Sequence, residues 1–364
     1  MRMSRLFSAL GLVLAFSCKA REPIQTRTAD KKTLSKSQGP SPQVHLRLGF
    51  LNLGGLNRRH PGAMERQLQS FGLDSPHAFQ VYCAQLARDA GANWVRMPLF
   101  YINGQLRGNP EAGLDMGFEV MVTLDPRPQW TGDIEKLTQV LVPYLEAHPE
   151  LLLWQLGNEP DLALRGMEPN AVQYVDFFVQ TSGLIRKHRP EATLVLAGIS
   201  NQYDSKSDNL VFYRDVLKGL KKRKADFDVF DFHLWKGADE AHLVQEALST
   251  YQNLLKETGF REKEIWVTEI GTHSGSPHGH PAQSEEDQAS FLREALSLLM
   301  EGGVSRICLG KLIEEYGFAG NPGGYFDHTG LVYDGLGQEA AEGIPAGTPK
   351  QAYWVLQEFL PTPL

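Results

Sequence analysis

The chain has 364 residues, of which 42% are hydrophobic and 22% charged. That is the composition of a folded globular chain, with length for a large core. A formal net charge of −7 argues against a nucleic-acid binder, which would carry an excess of Lys and Arg.

The first residues read as a targeting segment. Arg2 and Arg5 flank the start of an apolar run, residues 6–16, which is followed by Ser17-Cys18. A membrane-spanning helix takes about 20 apolar residues, so this shorter run fits an export signal instead. Its ending resembles that of a bacterial lipoprotein, although Phe16 stands where a small residue is usual. The resemblance implies lipidation at Cys18 and a membrane-anchored protein of the cell envelope; simple secretion is the alternative. Residues 19–43 are rich in Lys, Ser, Thr, Gln and Pro and poor in apolar side chains. They predict a disordered tether, so that the folded domain begins at about residue 44. The other two cysteines, Cys83 and Cys308, fall in a predicted helix and a predicted strand and read as buried free thiols.

From residue 44 the pattern alternates. A first strand over 44–53 ends in Gly54-Gly55. Ser75-Pro76 then marks a helix start, a capping serine followed by proline at the first helical position. Phe79, Tyr82, Cys83, Leu86, Ala87 and Ala90 follow at helical spacing. Strands are predicted over 93–100 and 118–124. The link between them, with Gly104, Gly108, Pro110 and Gly113, leaves space only for an abbreviated helix. Asp133 caps the next helix, and strands follow over 151–156, 193–197, 227–234, 264–270 and 306–309. Helices over 170–188, 210–220, 240–256 and 284–301 separate them, and one over 351–359 closes the chain. Eight strands alternating with helices predict a parallel sheet closed into a single-domain (β/α)8 barrel. A doubly wound open sheet is the alternative, but Gly54-Gly55 is only a faint echo of its phosphate-binding turn.

Two of these strands end in a carboxylate. Trp154-Gln155-Leu156-Gly157-Asn158-Glu159-Pro160 closes the fourth, and Ile265-Trp266-Val267-Thr268-Glu269 runs to the end of the seventh. A lone carboxylate in an apolar core costs several kcal/mol, so both must face a polar site. In a barrel, that site is the C-terminal mouth. Arg96, Asp125, Asn158, His233, Trp235 and Lys311 also stand at predicted strand ends.

The pattern resembles the large clan of retaining glycoside hydrolases built on (β/α)8 barrels, nearest its xylosidase-like and β-1,3-glucanase-like members. The resemblance rests on Asn158-Glu159-Pro160 after strand four and Glu269 on strand seven, and it covers about residues 44–360. It implies that Glu159 is the acid/base and Glu269 the nucleophile. It also implies that Arg96 lies beside the nucleophile and that His233 occupies an active-site position. The implied substrate is a β-linked oligo- or polysaccharide, and no cofactor or metal is implied. Asn158 is placed to hydrogen-bond a sugar 2-hydroxyl, a contact that strengthens in the transition state.

The chain departs from that clan on strand eight, where Ile307-Cys308-Leu309-Gly310-Lys311 supplies no aromatic floor for the sugar. Trp235 and Tyr316 are the candidates to replace it. Lys311, a cation at that strand end, requires a partner, either Glu314 or Glu315 or a group on the substrate. Each site residue also has a plainer reading: Glu159 as a helix-start carboxylate, Glu269 as an ion-pair partner of Arg96, His233 as a core histidine, Trp235 as rim packing. The missing strand-eight aromatic motivates the alternative function, a carbohydrate-binding pseudoenzyme or surface scaffold. His273, His278 and His280 lack the spacing of a standard zinc set, and their loop reads as polar. The Gly- and Tyr-rich segment 314–347 is expected to overhang the mouth.

Overall fold

The computed structural model describes residues 46–53, 62–126, 134–162, 169–200, 208–317 and 323–360. The predicted export signal with Cys18, the tether, Gly54-Gly55 and the cap at Asp133 lie outside them. Residues His45–Leu364 form one compact unit.

Among the described residues, eight parallel strands close into a barrel. They are β1 (Arg47–Leu51), β2 (Trp94–Ile102), β3 (Glu119–Asp125), β4 (Leu153–Leu156), β5 (Thr193–Leu196), β6 (Val229–Trp235), β7 (Glu264–Gly271) and β8 (Arg306–Leu309). Each pairs with the next in parallel, and β1 pairs with both β2 and β8, which closes the ring. Around it run α1 (Ala63–Ser70), α2 (Pro76–Asp89), α3 (Glu111–Asp115), α4 (Ile134–Ala147), α5 (Ala171–His188), α6 (Asp208–Arg223), α7 (Leu243–Thr258) and α8 (Glu285–Glu301). Local chemistry sets several starts. The Ser75 hydroxyl accepts the Ala78 N–H ahead of Pro76. Asn170 with Gln173, and Ser284 with Asp287, make reciprocal capping boxes.

The link between β2 and β3 is the abbreviated one. Its strand β2 continues into a short antiparallel arm, Gln105–Arg107, that folds back on Phe100–Ile102. The five-residue α3 then replaces a full crossover helix. The early helix α1 has no counterpart in the predicted elements; of its eight residues only Ala63, Gln67 and Leu68 are buried, too faint an apolar face to mark a helix in sequence.

Alternate residues of each strand face into the barrel. Near its base, Trp94, Met121, Leu153, Val195, Val229, Trp266 and Cys308 make one apolar plug. Trp94 and Trp266 lie 6.2 Å apart, and the Arg306 guanidinium sits 4.6 Å over the Trp266 ring. A ring of that size hides roughly 150–250 Å², worth about 4–6 kcal/mol of transfer free energy before entropy. The plug holds the barrel shut below, and so allows polar residues above. The oppositely facing residues, among them Val95, Val122, Trp154, Leu156, Phe230 and Val267, pack against the helices. Both Cys83 and Cys308 are buried and free. No helix among the described residues is long and apolar enough to cross a membrane.

Candidate active site

Two residues above the apolar plug, the same strands turn polar. Arg96, Thr123, Gln155, Asp231 and Thr268 are each at most 3% exposed, so every one of them needs a partner. They find it in one another. Gln155 Oε1 accepts from Arg96 Nε at 2.7 Å and from the Thr123 hydroxyl at 2.8 Å. Its Nε2 donates to Asp231 Oδ2 at 2.5 Å. Asp231 also accepts the Thr268 N–H at 2.9 Å and the Thr268 hydroxyl. This layer is a satisfied polar platform, and it carries the site above it.

The strand β7 reaches that site through a bulge. Phe232 pairs with Val267, but His233 pairs with Glu269, so Thr268 is an extra residue. A bulge lets two successive residues face one side. Thr268 therefore meets Asp231 while Glu269 also turns inward, and Val267 and Ile270 stay in the outer core.

Glu269 is held on three sides. Arg96 Nη1 donates to its Oε1 at 2.6 Å, and the Trp235 indole N–H donates to its Oε2 at 3.1 Å. His233 Nδ1 lies 3.8 Å from Oε1. Burial alone would push this carboxyl up. The charges of His233 and Arg96, with the Trp235 and Arg96 hydrogen bonds, outweigh it and hold the group below the usual carboxylate range.

Glu159 comes from the turn after β4. Gly157 bends it at φ 96°, a conformation suited to glycine, and Glu159 itself sits at φ 43°. Its Oε1 lies 2.8 Å from His233 Nδ1. His233 is fully buried, which lowers its basicity, but the charge of Glu269 and hydrogen bonds to Asp231 and Glu159 reverse this and raise it to about 10. The ring is an imidazolium that donates from Nδ1 to Glu159 and from Nε2 to the Thr268 hydroxyl at 3.2 Å. Asn158 turns its Oδ1 to Arg96 Nη2 at 2.6 Å. One atom each of Glu159, His233 and Glu269 lie within 4.8 Å of one another, so the two carboxyls converge at the mouth.

The end of β8 has no aromatic residue, and the ring of Trp235 lies over it instead. A Cβ at Gly310 would overlap that ring, so only glycine there admits it. Phe326 meets the ring edge-on at 5.1 Å and Tyr325 at 6.4 Å. The segment following β8 thus reaches the aromatic corner of the mouth. Lys311 Nζ donates to Glu315 Oε2 at 3.2 Å and to the Phe326 carbonyl at 3.1 Å. Glu314 instead pairs with Lys350, which is wholly buried. The Tyr316 N–H donates to Asp334 Oδ2 at 2.8 Å. Tyr316 lines a cavity of about 260 Å³ with Arg66, Gln67, Glu315 and Leu336. His273 and His280 pack their rings on each other and on Tyr325.

The strand-end residues named from sequence, Arg96, Asn158, Glu159, His233, Trp235 and Glu269, are thus brought into one hydrogen-bonded group. Gln155, Asp231, Thr123 and Thr268 were not singled out there. The available signal was a polar residue at every second position inside strands otherwise apolar.

No curated protein matches the sequence. A glucosidase from Croceicoccus marinus superposes with a TM-score of 0.61 at 13% identity, over 87% of this chain and 67% of that one. A monomeric β-xylosidase from Caulobacter crescentus CB15 gives 0.56 at 14% identity, over 86% and 67%. A β-glucuronidase from Bifidobacterium dentium gives 0.56 at 16%, over 88% of this chain but only 47% of that one. At such identities the likeness is one of fold, a shared barrel. The model of the glycosyl hydrolase catalytic core matches residues 127–318, more than half of the chain and the stretch that holds both glutamates. The chain therefore belongs to the glycosyl hydrolase catalytic core family, and it is a glycosidase.

Proposed function

We propose that the protein cleaves a β-linked saccharide with retention of configuration, Glu269 acting as nucleophile and Glu159 as acid/base. The observation that carries this reading is the approach of the two carboxyls, one oxygen of each lying within 4.8 Å of the other. Retaining enzymes hold the pair about 5–5.5 Å apart, whereas inverting enzymes need about 6.5–9.5 Å to admit a water.

The chemistry follows from the contacts. Glu269 Oε2 or Oε1 attacks the anomeric carbon, and its low basicity keeps it ionised for that step. The bond to the leaving oxygen breaks as Glu159 gives that oxygen its proton. Covalent attachment removes the negative charge from Glu269, and Glu159, now a carboxylate, retains the charge of His233 beside it. Glu159 then takes a proton from water, whose oxygen attacks the same carbon and releases Glu269. Asn158, whose Oδ1 is turned to Arg96, offers its amide nitrogen to the sugar 2-hydroxyl. Trp235 supplies the sugar floor from β6, and Arg96 and Trp235 hold the nucleophile in line. The roles assigned to Lys311 and Tyr316 are secondary: the first braces the Phe326 turn, and the second lines the neighbouring cavity.

A screen of aryl β-glycosides and β-linked polysaccharides should find a substrate. On that substrate Glu269→Ala should lose essentially all turnover while keeping its circular dichroism spectrum. Equal activity of the wild type and Glu269→Ala would exclude the nucleophile role.

The N-terminal reading completes the proposal. The motif ending in Cys18 would place the domain on a tether at a bacterial membrane surface. In a bacterial host, labelled palmitate should enter the wild type and not Cys18→Ser. An unlabelled wild type in the soluble export fraction would rule out the anchor.

A further inference from the structure

Glu159 occupies a left-handed backbone conformation, φ 43°, that residues other than glycine adopt rarely. Such strain persists only where the surroundings over-determine it. Gly157 shapes the turn before it, but a flexible residue does not hold a strained one. The holding group lies two residues on. Asp161 Oδ2 accepts the Ser200 hydroxyl at 2.8 Å and Asn209 Nδ2 at 2.7 Å. Both its oxygens face the Ser200 N–H, at 3.2 and 3.1 Å. Asn209 Nδ2 also reaches Ser200 Oγ at 2.5 Å. Ser200 follows β5 and Asn209 lies in α6, and both are buried. One carboxylate therefore fastens the turn after β4 to both the end of β5 and α6, the next unit of the barrel. Between the strained residue and this anchor stands only Pro160, whose fixed φ transmits position with little slack.

We propose that Asp161 is a positioning residue for the acid/base: its anchor to Ser200 and Asn209 holds Glu159 in the left-handed turn that sets its carboxyl against His233 and opposite Glu269. This rests on the reading of Glu159 as the proton donor. The Asp161 carboxyl also senses the charge of Glu159. Burial raises this carboxyl, the Ser200 hydroxyl lowers it, and the charge of Glu159 raises it again, to about 6 in all. An anchor that served stability alone would leave the timing of proton donation untouched.

Leaving-group dependence separates the two roles. A 2,4-dinitrophenolate departs without a proton, whereas an unsubstituted phenolate needs one from the general acid. The value of kcat/KM for the glycosylation step is therefore measured on the 2,4-dinitrophenyl and phenyl β-glycosides of one sugar, chosen from the screen. The wild type, Glu159→Ala, Asp161→Asn, Asp161→Ala and Asn209→Ala are compared, each with its thermal midpoint. General acid catalysis is worth about 10²–10⁴-fold, so Asp161→Ala should lose about 10–100-fold on the phenyl glycoside and less than about 3-fold on the dinitrophenyl one. Asp161→Asn should show the same skew, since its amide nitrogen opposes the donors of Ser200 and Asn209. Asn209→Ala keeps the carboxylate, removes one anchor and decides the matter if both Asp161 variants fail to fold. An equal loss on both substrates, or none, in the folded variants would overturn the proposal. If Glu159→Ala shows the skew and the anchor variants do not, only this inference falls. If Glu159→Ala shows no skew, or no glycoside is turned over, the acid/base reading falls and this inference with it.

Discussion

Three acids and two cations meet in the core of the barrel mouth: Asp231, Glu159 and Glu269 with Arg96 and His233. Arg96 is the member with most at stake, because its fork serves Gln155, Glu269 and Asn158 at once. Removing one partner of a buried pair costs about 3–5 kcal/mol, so Arg96→Ala should lose about that much in denaturant unfolding, besides its activity. A variant with unchanged unfolding would show that the pair is not held as described. Trp235→Phe keeps a ring over Gly310 but loses the N–H to Glu269. A hydrogen bond to a charged group is worth about 1.5–3 kcal/mol, and kcat should fall about 10-fold or more; an unaltered kcat would mean that this N–H does not act on Glu269 in the reaction. The placing of Glu159 and Glu269 at the mouth was legible in the sequence because a carboxylate that closes an apolar run must face a polar site, and Arg96 was named beside them although it lies inside β2. Gln155, Asp231 and Thr268 were not, because a polar residue within a strand faces the barrel or the helices according to register. Only the closed layer showed that they support one another.

At the scale of elements, strand order and most helices could be read from alternation and caps, whereas irregularities could not. The bulge at Thr268 has no marker in Ile265-Trp266-Val267-Thr268-Glu269, yet it turns Glu269 inward. The absence of a strand-eight aromatic looked like a gap, and Gly310 is the element-level reason that it is filled from β6. Gly310→Ala should push the Trp235 ring aside and raise KM or lower kcat, with the barrel intact by circular dichroism; kinetics equal to wild type would show the ring free to shift without consequence. The segment after β8 holds a second buried cluster, Glu314, Asp334 and Glu339 with Lys350. Burial raises the Asp334 carboxyl, the Tyr316 and Leu336 N–H groups lower it, and Glu339 and Glu314 raise it, to about 8 overall. An unfolded Asp titrates near 3.9, so the folded value is the higher one. The corresponding stability is fully present below about pH 4 and is lost as pH rises through 8. The thermal midpoint should therefore fall between pH 6 and pH 9, and Asp334→Asn should flatten that fall. A slope unchanged by the substitution would assign it elsewhere.

For the whole molecule, the barrel divides its labour along its axis. The tryptophan-rich plug near the base supplies apolar burial, the satisfied polar layer above it fixes register, and the mouth carries the reactive groups. Family membership makes the chain a glycosidase, and the approach of Glu159 to Glu269 is the reason for reading it as a retaining one. That reading is open to direct trapping. A 2-deoxy-2-fluoro β-glycoside with a good leaving group slows release of the covalent intermediate more than its formation. Incubated with the enzyme and digested, it should add one fluorosugar to the peptide containing Glu269, as seen by mass spectrometry. A sugar attached to a different residue, or an unlabelled enzyme that releases product of inverted configuration, would contradict the account.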